Sequence, residues 1–423
     1  MIFIIAYLID GLIFGLITKY VANKRGYYDG FWWGFFLGLI GLLVVGFRPI
    51  KSSTDSSYRA SSSIDWSRTL SKWVDALGQP LVAVGISFLL GAIVILICGE
   101  NVFKAYGAMI RGAFGNAFYL NDTLKRSTPI IMGGLAVCVA WRSGYEAMGG
   151  EGQMIFGAFC AALVAYYLPA PGIVRIIMAM LVAVFVGGVY SAFTGWLYEK
   201  FDVTFIISTL MLNYIANYIA SYLTNYVVKD PTARDINAVQ TGKIATEARL
   251  PAIVSGSVHW GFIFALICVI VVYIIFTKTT FGYKSRMNGL NPNFALYGGI
   301  NARRMLYVVL IFSGALAGLG GAFEALGSKY RYIDQMIFTT GYAWSGMVAA
   351  LLANCNPIGT AVASILLAGL STGGSAMQRS TSIPVEVCNM IEGIIMLLMS
   401  VKLLHITIKN SKARKAAKEV EKA

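Results

Sequence analysis

The sequence predicts an all-α, polytopic membrane protein, and three observations predict it. Of 423 residues, 57% are hydrophobic and only 13% charged, with a mean hydropathy of +0.68, which is more apolar surface than a water-soluble domain can hide. The apolar residues fall into runs of about the 20 that a helix needs to cross a bilayer. The Lys and Arg behind the formal net charge of +14 gather in short segments between those runs and in the tail, where membrane topology accounts for them without a nucleic-acid partner.

The first expected element is a transmembrane hairpin, residues 1–50, with runs at Ile2 to Thr18 and Phe31 to Phe47. The first run lacks a basic n-region and a small-residue cleavage site, so it reads as a retained span rather than a signal peptide. Gly30, Gly34, Gly38 and Gly41 recur at helical spacing beside Phe31, Trp32, Trp33, Phe35 and Phe36, a pattern that suits a packing face and an interfacial aromatic belt. Residues 51–78 form the next element. From Lys51 to about Asp75 they hold nine serines and no apolar periodicity, which predicts a flexible linker.

The main transmembrane domain is expected at 79–404, with about ten spans: 80–98, 129–141, 150–168, 174–197, 203–226, 259–277, 305–327, 337–353, 358–376 and 383–404. The second and eighth are short enough to be broken or re-entrant. A basic tail, 405–423, closes the chain. Counting from a linker on the inside, parity places Lys278 to Arg304 and the tail inside, and charge agrees. The first of these holds five basic residues and no acid, and the second is rich in Lys. Asn101 to Thr128 and Val228 to Val258 then lie outside as longer segments. The hairpin loop with Lys19, Lys24 and Arg25 is at odds with parity, because charge would hold it inside.

Several chemistries are missing. The chain has no G-x-x-x-x-G-K-[ST] loop to cradle a nucleotide, and Gly318-Leu-Gly320-Gly321 with Gly314 reads as a small-residue helix-packing face instead. Six cysteines without C-x-x-C spacing and two histidines at span edges predict no metal centre, no disulfide framework and no His-dependent catalysis. Intramembrane carboxylates are the remaining functional signal, since each costs about 2.5–3.5 kcal/mol at mid-helix. Glu151, in Gly149-Gly-Glu151-Gly-Gln153, is read as lining a substrate path or as hydrogen-bonding a tightly crossing helix. Glu324 and Glu392 lie nearer span ends, where solvation at the interface is the simpler reading. Turn chemistry at Gly289-Leu-Asn291-Pro292 and Gly298-Gly299-Ile300 surrounds a short helical stretch that docks on a partner or lies on the membrane surface.

Ala140 to Gly157, AWRSGYEAMGGEGQMIFG, resembles the Gly-Leu-Phe-Asn-Ile-Gly-x-Glu-Gly-Gln motif of permease subunits of ABC importers for nucleosides and simple sugars. Arg286 to Ile300 is similar to that family's Arg-Ala-x-Gly-x-Asn-Pro-x-Ala-Ala-x-x-x-Gly-Ile segment. Ser208-Thr-Leu-Met-Leu-Asn213-Tyr-Ile, Ser313-Gly-Ala-Leu-Ala-Gly318 and Asn356-Pro357-Ile-Gly359 follow in the family's order, and the likeness runs from about Gln79 to Leu404. The N-terminal hairpin lies outside it.

That resemblance implies a multi-pass permease subunit in the cytoplasmic membrane, not an enzyme, with nucleosides as the expected cargo and simple sugars as the alternative. An ion-coupled secondary transporter is the rival class. It implies no cofactor on this chain, and Mg-ATP on a partner ATPase. It also implies a second permease subunit, identical or not, and an extracellular or periplasmic solute-binding protein. Glu151, Gln153 and Asn213 would lie near the path, with Asn213 alternatively making a helix–helix hydrogen bond. Arg286, Gly289, Asn291, Pro292, Ala295, Gly299 and Ile300 would couple to the ATPase. Where the family has Phe-Asn, this chain has Glu146-Ala147, and Phe294 replaces an Ala.

Overall fold

The computed structural model describes residues 66–230, 239–253, 258–381 and 383–399. The expected hairpin (1–50), the first part of the linker and the basic tail (405–423) lie outside those residues. Backbone contacts divide the chain into units 1–70 and 71–423, and the helical bundle belongs to the second. Among the described residues the secondary structure is helical apart from two isolated bridges. Five helices there are long and apolar enough to cross a membrane.

Helix α1 spans Trp66–Ile97, so helix begins inside the stretch expected to be a flexible linker. Trp66, Leu70, Trp73, Val74 and Leu77 fall at helical spacing, a pattern that the serine content hid. The segment Asn101 to Thr128, expected as an external loop, is also largely helical. It supplies α2 (Val102–Phe114), capped by the Asn101 side chain, and the first half of α3 (Ala117–Arg142). The expected short span 129–141 is therefore the second half of a 26-residue helix that continues through Pro129. The polar turn before that proline satisfies itself locally. Thr123 Oγ1 donates to the Ala113 carbonyl at 3.0 Å and Ser127 Oγ to the Leu124 carbonyl at 2.7 Å, which lets both side chains be buried.

Next come α4 (Gly150–Tyr167), α5 (Gly172–Phe201) and α6 (Phe205–Tyr226). After α7 (Gly261–Lys278) two short helices, α8 (Thr280–Leu290) and α9 (Pro292–Tyr297), occupy the basic segment. Helix α10 (Ala302–Phe323) runs into a π-helical turn, Glu324–Lys329. Helix α11 (Tyr342–Leu352) has 11 residues, about 16 Å, and is too short to cross a bilayer. Helix α12 (Pro357–Ser380) and a last helix, α13, at 386–399 complete the order.

Helix α10 is the axis of the bundle and packs on α3, α4 and α5. Its glycines set the separations. A Cβ on Gly318 would fall 2.3 Å from the Ala183 carbonyl oxygen, and one on Gly314 would fall 2.3 Å from that of Gly187, so backbones of α10 and α5 touch directly. The expected small-residue packing face is thus real. It brings helices together.

Candidate functional site

Two polar regions stand out, one inside the bundle and one at its end. The inner region is built around the first turn of α4. Asn213 on α6 straps that turn, its Nδ2 donating to the Met148 carbonyl at 3.0 Å and its Oδ1 accepting from the Gly152 N–H at 2.9 Å. Thr209, one turn earlier on α6, accepts from the Met148 N–H at 3.1 Å. Asn213 therefore makes the helix-to-helix hydrogen bonds that were one of its two readings. Gln153 is buried in the same region, its Oε1 without a protein donor.

Glu151 is 4% exposed and borders a narrow space with Val137, Met148, Gly150, Ala343, Trp344 and Met347. Its volume, about 10 Å3, admits no more than a water. Trp344, in the first turn of α11, lies beside Glu151 in that lining. Neighbouring residues of that turn meet the other two intramembrane acids: Ser345 lies beside Glu392, and Tyr342 donates to Glu324 Oε1 at 3.3 Å.

Three carboxylates far apart in sequence thus meet one turn of a short helix that starts beside Gly133, in the interior of α3. Glu324 is 3% exposed, which corrects the expectation of a carboxylate solvated at a span end. The π-helical turn and the chain after it fold back over Glu324 and bring Tyr342 to it. Trp344, Ser345 and Tyr342 were missed from sequence because nothing in a short apolar run marks the residues that will face an acid.

The second region is the end of the bundle where α8 and α9 lie. Asn291 caps α9, its Oδ1 accepting from the N–H groups of Asn293 and Phe294 at 3.1 and 3.2 Å, and Pro292 takes the first helical position. Ala295 (1% exposed) and Ile300 face the core and anchor the segment, while Gly299 has φ +73, where a side chain would be strained. Arg286 is exposed, as are Phe294, Leu296 and Tyr297, the last at 92%. The seven residues expected to couple therefore divide. Ala295, Ile300 and Gly289 hold the segment to the bundle, Asn291, Pro292 and Gly299 shape it, and Arg286 is exposed.

Between the two regions runs the loop 143–149. Gly144, at φ +88, meets Gly289 so closely that a Cβ on Gly144 would lie 2.8 Å from the Gly289 Cα. The unfamiliar pair Glu146-Ala147 sits in this loop. Glu146 is exposed and Ala147 buried, its carbonyl accepting from Trp141 Nε1 at 3.2 Å. No group of His, Cys, Asp or Glu among the described residues is arranged to hold a metal.

A bundle of apolar, membrane-length helices with buried polar residues among them defines an integral membrane protein. The chain belongs to the family described as branched-chain amino acid transport system / permease component, which matches residues 119–400. It is 32% identical over 327 residues to the guanosine ABC transporter permease protein NupP of Bacillus subtilis, covering 76% of this chain and 92% of that one. It is also 32% identical to the nucleoside ABC transporter permease protein NupB of Lactococcus lactis, covering 81% and 96%. The glucose ABC transporter permease protein TsgB13 of Haloferax volcanii is 28% identical, covering 79% and 90%. No solved structure matches. The protein is an ABC transporter permease of the cytoplasmic membrane, a subunit that works with an ATPase and a solute-binding protein rather than an enzyme.

Proposed function

We propose that this chain is a nucleoside importer's permease, that it has about ten spans with an N-terminal hairpin as accessory, and that it forms the translocation path with a second permease subunit. The observation that carries the cargo is that NupP and NupB, named for guanosine and nucleosides, align over more than nine-tenths of their own lengths. The glucose permease at 28% supports simple sugars as the second reading. Glu151 and Gln153 lie on the path, and Asn213 holds the turn that presents them. The chain itself holds no cofactor; Mg-ATP binds the partner ATPase.

The segment Lys278 to Arg304 is the ATPase dock. Phe294, Leu296 and Tyr297 project from a helix whose cap and anchors are already made, so entering a groove costs little ordering. The interior opens when ATP binding and hydrolysis move this end of the bundle, since a space of about 10 Å3 passes no nucleoside as it stands.

Purification in mild detergent from the native membrane tests the dock. An ATPase is expected with the wild type and lost from Asn291→Ala/Pro292→Ala. Its absence from both preparations of folded protein would refute the reading. Uptake of labelled guanosine by the assembled transporter, competed by other nucleosides and not by glucose, is expected for the cargo; competition by glucose alone would transfer the reading to sugars.

A further inference from the structure

We infer that the loop 143–149 is the mechanical link between the ATPase dock and the path, with Asn288 and Tyr145 as positioning residues that fasten it. This rests on the reading of Lys278 to Arg304 as the dock.

The fastening at the dock end is specific. Asn288, buried on α8, donates through Nδ2 to the Ser143 carbonyl at 3.1 Å and to the Tyr145 hydroxyl at 3.0 Å. That hydroxyl in turn faces the Ala302 carbonyl at 3.4 Å, at the start of α10. The hydroxyls of Ser143 and Ser285 share a hydrogen bond, and the Gly144 and Gly289 backbones are in contact beside them. The Tyr145 ring packs edge-on against Phe205 with centroids 5.6 Å apart.

At its other end the loop becomes the first turn of α4. There Thr209 and Asn213 hold Met148, and Glu151 follows three residues later. Both ends are thus fixed, and the loop is too short to absorb a displacement as slack. A movement of α8 is delivered to Met148 and Glu151. Contact between dock and loop is made by buried hydrogen bonds and backbone, with no long flexible side chain to soften it.

The test uses the complete transporter in proteoliposomes, reading solute uptake and ATP hydrolysis together. Asn288→Ala removes two buried hydrogen bonds and is expected to lower uptake per ATP hydrolysed about tenfold, with the ATPase still copurifying. Tyr145→Phe keeps the ring against Phe205 and removes only the hydroxyl, with an expected fall of about threefold. Uptake per ATP is the quantity that a merely structural role would not lower.

A restored link supplies the second arm. Ser143→Cys/Ser285→Cys, in a transport-competent background with the native cysteines replaced and carrying Asn288→Ala, is oxidised with copper phenanthroline. Disulfide formation is expected to restore uptake per ATP, and reduction to remove it again. Uptake per ATP unchanged in both single variants would overturn the link. So would a cross-linked Asn288→Ala protein that stays uncoupled. Loss of the ATPase from the wild type would instead overturn the dock itself.

Discussion

Asn213 offers the sharpest test of what the polar interior is for. Replacing it by Ala removes its bonds to the Met148 carbonyl and the Gly152 N–H, at 3.0 and 2.9 Å, from a site that is buried. Within membrane proteins each such bond contributes on average about 0.6 kcal/mol. The Met148 carbonyl and Gly152 N–H left behind, cut off from water, add about 1 kcal/mol or more between them. The expected loss is about 2 kcal/mol, which for a chain of 423 residues lowers the melting midpoint by roughly 2 °C. Asn213→Asp keeps the acceptor for Gly152 but turns a charged oxygen toward the Met148 carbonyl, so it is expected to be no more stable than the Ala variant. The assay is loss of the monodisperse peak in size-exclusion chromatography after heating in detergent. A midpoint within about 1 °C of wild type, together with a selective rise in KM for the solute, would refute the strap and make Asn213 a cargo contact.

Gly318→Val would drive a side chain into the Ala183 carbonyl, where a Cβ already falls at 2.3 Å, and little folded protein is expected by the same chromatography; Gly85→Ala, with nothing within 4 Å, should match wild type. Tyr297→Asp or Phe294→Asp alters exposed residues, so stability should hold within about 1 °C while ATPase capture in pull-downs falls at least tenfold. His259 lies just ahead of α7 with Nδ1 accepting from the Gly261 N–H at 3.1 Å, and burial, aided by the Lys125 ammonium, lowers its pKa to about 4. The unfolded chain takes up that proton near pH 6.5, whereas the folded protein resists until about pH 4. Stability is therefore held above pH 7 and lost as pH falls through this window, by up to about 3 kcal/mol. His259→Leu should flatten the pH dependence of the melting midpoint between pH 7 and pH 4; a slope equal to that of wild type would refute the assignment.

Much of the interior was legible because insertion into a bilayer constrains composition as well as contact. The boundaries of α4 and α6, the glycine face of α10 and the Asn291-Pro292 cap each follow from local rules on apolar length, small-residue spacing and capping. The helical content of Asn101 to Thr128 was not legible. Its polar residues look solvated until the Ala113 and Leu124 carbonyls are seen to accept from Thr123 and Ser127. Ser-rich sequence likewise concealed the start of α1 at Trp66.

The sequence by itself determined a helical membrane protein, a capped short helix at Asn291-Pro292, and Glu151 as an acid worth following, since composition, charge and turn chemistry are local properties. Only the tertiary structure decided what those residues touch. It brought Tyr342, Trp344 and Ser345 to Glu324, Glu151 and Glu392, and it fastened Asn288 to Ser143 and Tyr145. These pairs are matched in three dimensions and have no fixed spacing along the chain, because the energetic requirement is only that each buried polar group find a partner, wherever the fold can supply it.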